Sequence, residues 1–253
     1  MQQRLQVGAV ISRVFDIYAK EAGIWVPVSA AIIGLPAIIV GVAGHAGNFG
    51  LTLLGELILL VAGFVFTGMI VELVASVESK TQTDAGSLLR SVMPVLASLI
   101  GVSVVAALGI VIGFIFLIIP GLILITIWSV FAPVVVLERP GGLGALGRSR
   151  EMVRGNGWQV FGVIVVLYVL VAFVELIAVS IAKAGGTGLT IIVTVVVDVL
   201  AAPISSLAAA SIYFELKRIE DAPGFVHGDP VGPAEDVGPL QIPEIPDEHT
   251  PDL

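Results

Sequence analysis

The chain has 253 residues, of which 57% are hydrophobic and 13% charged. A soluble domain averages roughly 45–50% apolar and about 25% charged, so this composition leaves too little polar side chain to coat a water-soluble globule. The formal charge of -8 is confined to one end: nine acids and no Lys or Arg lie in 220–253, which leaves 1–219 near neutral. With no cysteine present, disulfides, thiolate metal sites and cysteine nucleophiles are excluded.

Residues 4–21 open the chain as an amphipathic segment. Leu5, Ile11, Val14, Phe15 and Tyr18 recur at helical spacing against Gln6, Arg13, Asp16 and Lys20. That pattern predicts a helix lying in the headgroup plane. It does not read as a signal peptide, because no short apolar core with a small-residue cleavage site follows the basic start.

Six apolar runs follow, at about 24–44, 51–76, 92–118, 122–137, 159–182 and 189–213. Each is near or above the ~20 residues that cross a ~30 Å hydrocarbon layer, or pairs with a neighbour to do so. The stretch 92–137 carries no charge and is too long for one crossing. Pro120-Gly121 is the expected turn of a tight helical hairpin. A single long span with a re-entrant piece is the alternative. The fold class is therefore an all-α polytopic bundle of six spans over 1–219. Amphipathic helices flank it on the cytoplasmic side, and 220–253 forms a disordered, acidic, Pro-rich tail.

Orientation follows from basic residues in the loops. Arg4, Arg13, Lys20, Lys80, Arg90, Arg139, Arg148, Arg150, Arg154, Lys217 and Arg218 fall on one side, and only Lys183 falls on the other. The positive-inside rule puts that side, with both termini, in the cytoplasm of a cell whose plasma membrane holds the chain. Within the connector 141–154, Leu143, Leu146 and Val153 would share one face of a second surface helix, with Arg148, Glu151 and Arg154 along another. Arg148, Arg150 and Arg154 are the expected headgroup contacts, and Trp158 suits the membrane–water boundary.

Ionisable groups inside spans are costly and mark candidate sites. Glu72 lies near the cytoplasmic end of its span. Glu56, Glu175 and Asp198 fall at similar depths, the outer half or middle, where they could form one polar site balanced in part by Lys183. The alternative is that each is protonated, or hydrogen-bonded to a neighbouring helix as structural glue. Gly109 and Gly113 in span three, and Ser205, Ser206, Ala209 and Ala210 in span six, are small-residue steps for close helix packing. Pro203 should kink span six below Asp198.

No soluble-enzyme motif is found. His45, His227 and His249 have no metal-ligand spacing, and no P-loop, GxSxG or HExxH occurs. No metal, cofactor or nucleic-acid partner is expected.

The stretch IPGLILITIWSVFAPVVVLERPGGLGALGRSREMVRGNGWQVFG over 119–163 resembles the membrane-domain family found beside some bacterial glycerophosphoryl diester phosphodiesterases and also found alone. The likeness rests on Pro120-Gly121, on Pro133 through Glu138, and on Arg148-Ser149-Arg150, Gly155 and Trp158. It also rests on the Pro203 span leading to Tyr213 through Lys217. It is strong over 119–217 and loose before that. It implies a six-helix membrane domain without the catalytic barrel, so no catalytic residue is carried over. The expected role is a non-catalytic module that holds lipids or protein partners, the latter through its tail or amphipathic helices. A small transporter using the intramembrane acids is the alternative, and a membrane-embedded lipid enzyme the weaker one.

Overall fold

In the computed structural model, residues 4–222 are described, apart from the side chains of Lys183 and Ala184. The tail expected to be disordered lies outside the described residues from 223 onward. All regular structure among the described residues is helical.

The six apolar helices are span one (Ala22–His45), span two (Phe49–Glu78), span three (Ala85–Phe116), span four (Ile118–Glu138), span five (Gly157–Ala182) and span six (Gly186–Glu220). The protein is a polytopic membrane bundle. Dozens of large apolar side chains on these helices stand exposed, including Leu53, Leu57, Ile115 and Phe173. That outward apolar surface needs hydrocarbon rather than water around it.

Consecutive spans pack as antiparallel pairs: one on two, three on four, and five on six. Glycine sets how closely the middle pair approach. A Cβ on Gly109 would meet the Trp128 ring at 2.7 Å, and one on Gly113 would meet the Gly121 backbone at 3.1 Å. These contacts make the GxxxG step an internal seam.

The turn of that pair is not where the sequence suggests. Span three ends at Phe116, and the reversal is made by Leu117 in extended geometry, φ -167° and ψ 152°. Pro120 and Gly121 sit within the first turn of span four. A proline there lacks only an N–H that has no intrahelical acceptor, so it starts a helix as readily as it stops one. Gly121 serves close packing against Phe114 instead.

The N-terminal helix Val7–Lys20 buries Val10, Val14 and Ile17 against spans five and six. It is a packed element of the bundle. Phe15, expected on the apolar face, is exposed. The region 77–91 is also more ordered than a loop: Asp84 caps the helix Ala85–Val92 in a reciprocal capping box with Ser87.

At this same end, charged pairs join distant segments. Glu78 at the end of span two is held between Arg13 and Arg218. Arg148, on the connector helix Gly144–Val153, donates Nε to Glu138 at 2.9 Å. It also forks onto both oxygens of Glu220 at 2.9 and 2.7 Å. Tyr213 donates its hydroxyl to the other oxygen of Glu138 at 2.9 Å. Glu220 therefore closes span six and does not belong to the tail.

Candidate functional site

Glu56 stands seven residues into span two, Glu175 nine before Ala184, and Asp198 twelve into span six. At 1.5 Å per residue these are depths of about 10 to 18 Å from one end of the bundle. Against a ~30 Å layer beginning at that end, these depths run from its outer third to just past its middle.

Glu175 and Asp198 line one cavity of about 500 Å³ between spans one, two, four, five and six. Ser129, Tyr168 and Ser205 add its other polar groups, and Ile33, Leu59 and Ile204 are among its apolar walls. Glu56 is not part of the lining, but its charge acts on Asp198 together with that of Glu175. Asp198 is half-buried, while Glu56 and Glu175 are exposed. No described side chain hydrogen-bonds or ion-pairs with any of the three. Bonding to neighbouring helices is thus not what holds them. Lys183, expected to balance them, has its side chain outside the description. Ser129 Oγ is buried at the cavity without a hydrogen-bond partner. Glu72 lies apart, within electrostatic reach of Arg139.

A scaffold of backbone capping holds the wall that carries Asp198. Pro203 sits inside the continuous helix of span six. Having no N–H, it leaves the carbonyl of Val199 without its helical donor. Ser29 Oγ donates to that carbonyl at 2.7 Å. Tyr18 donates its hydroxyl to the next carbonyl, that of Leu200, at 3.0 Å. Trp25 Nε1 donates back to the Tyr18 carbonyl at 2.7 Å, and the two rings lie 4.4 Å apart. In span one, Ala30–Gly34 is wound as a π-helix directly after Ser29. Such bulges are frequent at functional sites, and this one carries Ile33 in the cavity wall.

The three arginines expected at lipid headgroups divide. Arg150 and Arg154 are exposed. Arg148 turns inward to Glu138 and Glu220, because two carboxylates offer its fork better partners than a distant headgroup. The Glu220 hydrogen bonds, and secondarily those to Glu138, hold its guanidinium above the ordinary arginine value, with burial opposing them. Arg154 does not continue the connector helix but ends it, with ψ 128°.

Compared with known family models, curated proteins and solved structures, the chain matches none. Its site is therefore read from its own residues. Several of these escape sequence patterning: Ser29, Tyr18, Ser129, Glu138 and Tyr213. A signal did exist for one. Pro203 inside a span demands an outside donor for Val199, and Ser29 is the one hydroxyl within 24–44.

Proposed function

We propose that the protein is a non-catalytic membrane module that holds a membrane-borne amphiphile by its cationic, amine-bearing end. The observation that carries this reading is the placing of Glu175 and Asp198 on one cavity with largely apolar walls, within reach of Glu56. Unpaired carboxylates at mid-depth are expensive in hydrocarbon. An ammonium group would offset that cost, while the walls accept the rest of an amphiphile. Ser129 supplies a further hydroxyl with no partner of its own. The clustering of basic residues at the opposite end supports cytoplasmic termini in a plasma membrane.

Native mass spectrometry of gently extracted protein tests the proposal. A stoichiometric amine-bearing ligand is expected on the wild type and absent from the Glu175→Gln/Asp198→Asn variant. The same ligand on both, or none on the wild type, overturns it. The mid-depth position of the acids also favours a second reading, cation-coupled transport, since transporter sites lie near the bilayer midplane. Flux in proteoliposomes that stops on Asp198→Asn would move that reading ahead of the first.

A further inference from the structure

A second cavity, of about 790 Å³, lies at the basic end of the bundle, away from the three acids. Its floor is one side of span four, with Ile119, Leu122, Ile123 and Ile127 along the track. Its mouth is made by Arg4, Gly155, Gly157, Trp158 and Gln159. The lining along span four is apolar except for Thr126, whose hydroxyl is spent on the Leu122 carbonyl at 2.8 Å, and the charged and amide groups, Arg4 and Gln159, stand at the mouth.

The mouth is built by a long-range bond. The backbone N–H of Leu5 donates to Asn156 Oδ1 at 3.1 Å, and both residues are buried. This pins the start of the chain onto the turn before span five and thereby sets Arg4 over the groove. Among the described residues Arg4 makes no ion pair. Trp158 beside it is 84% exposed, the most exposed of the large apolar side chains. An indole in that state at a span terminus belongs at headgroup level. Gly155 has φ +88°, which few other residues adopt, and neither Gly155 nor Gly157 places a side chain in the opening.

The geometry points to a binding site for one anionic phospholipid of the surrounding leaflet. Its phosphate sits at Arg4 beside the Trp158 indole, and one acyl chain lies along span four from Ile127 toward Ile119. Charge complementarity selects the occupant. An unpaired guanidinium at the mouth of an apolar track matches a molecule with a negative head and a hydrocarbon tail. A zwitterionic lipid would fill the track but bring no net charge to Arg4. The site is independent of the cavity that holds Glu175 and Asp198, and its ligand has the opposite charge.

The test titrates the purified full chain in detergent with phosphatidylglycerol or phosphatidylcholine, read by native mass spectrometry. The first phosphatidylglycerol should bind roughly fivefold tighter than phosphatidylcholine, the ratio expected from one basic residue at an anionic headgroup. Arg4→Gln should erase that preference, and Arg4→Lys should keep it. Gly157→Phe should remove the first bound lipid by filling the mouth. A Cβ at Gly157 meets nothing within 4 Å, and a wild-type melting temperature for this variant checks that the fold is kept. Arg90→Gln, an exposed arginine elsewhere on the same end, should change nothing. Equal binding of the two lipids, or an unchanged preference in Arg4→Gln, overturns the proposal. So does a dimer that takes the place of lipid-bearing monomers and is dissolved by Gly157→Phe, since the groove would then be a seam between copies. Loss of phosphatidylglycerol in Glu175→Gln/Asp198→Asn would overturn the independence of the two sites, whichever ligand those acids hold.

Discussion

Ser29→Ala should destabilise the protein only while Pro203 is present. Ser29 is fully buried, and its hydroxyl donates to the Val199 carbonyl at 2.7 Å. That is the carbonyl whose helical donor would be the N–H of residue 203. Removing the hydroxyl strands an acceptor where water cannot reach it. Interhelical hydrogen bonds in membranes average about 0.6 kcal/mol and reach about 1.7 kcal/mol. An orphaned buried carbonyl costs about 1–3 kcal/mol. A loss of about 1–2 kcal/mol is expected, or roughly 2–8 °C in apparent Tm for a domain of this size. Pro203→Ala supplies the missing N–H, so in that background Ser29→Ala should cost only a fraction of this. The assay is the four-member thermal-melt cycle of wild type, both single variants and the double variant in one detergent. Equal cost of Ser29→Ala in both backgrounds would refute the capping argument, because the serine would then be packing and not capping.

Three further expectations concern other parts of the bundle. Arg148→Met should lower the apparent Tm by about 4–10 °C, because the guanidinium that joins Glu138 to Glu220 would be lost; breaking a buried pair from one side costs about 3–5 kcal/mol, discounted here for side chains 20–24% exposed. The additional Glu220→Gln change should recover part of that loss, and no recovery would sink the idea. Gly109→Ala drives a methyl to 2.7 Å from the Trp128 ring and should cost about 1–3 kcal/mol, whereas Gly63→Ala, with open space at its Cβ, should be neutral or stabilising in the same melt. Burial holds the Tyr18 phenol above its ordinary value near 10. Its contribution is therefore complete below that pH and is lost as pH rises through the raised folded value. Tyr18→Phe should melt lower at neutral pH yet lose less as pH rises above about 10, a comparison that identical alkaline limbs would contradict.

What the residues reveal in advance depends on the physics each feature obeys. Six spans were legible because hydrocarbon thickness imposes a length and an apolar composition that no other fold class needs. The convergence of Glu175 and Asp198 was half-legible, since two antiparallel helices with a short turn place equal distances from that turn at equal depth. That Glu56 stays out of the lining was not, because rotation about a helix axis is set by packing partners that lie far away in sequence. The reversal at Leu117 was hidden for a similar reason. Pro120-Gly121 fits both a turn and a first helical turn, and the contact of Gly121 with Phe114 decides between them. Arg148 was misplaced because loop arginines usually meet solvent or lipid, and its partners Glu138 and Glu220 lie 10 and 72 residues away.

The reversal at Leu117 also bears on how deep the third and fourth spans stand in the bilayer. From Val104 through Ile125 the chain carries no polar side chain at all. The tip residues Ile115, Phe116, Leu117, Ile118 and Ile119 are each between 65% and 77% exposed. The neighbouring reversals hold His45 and Asn48, or Thr187 and Thr190, and are suited to touch water. A tip that is oily on every side gains nothing by emerging among headgroups and loses the favourable transfer of five large side chains if it does. The tip of this hairpin is therefore better suited to hydrocarbon than the two polar reversals beside it.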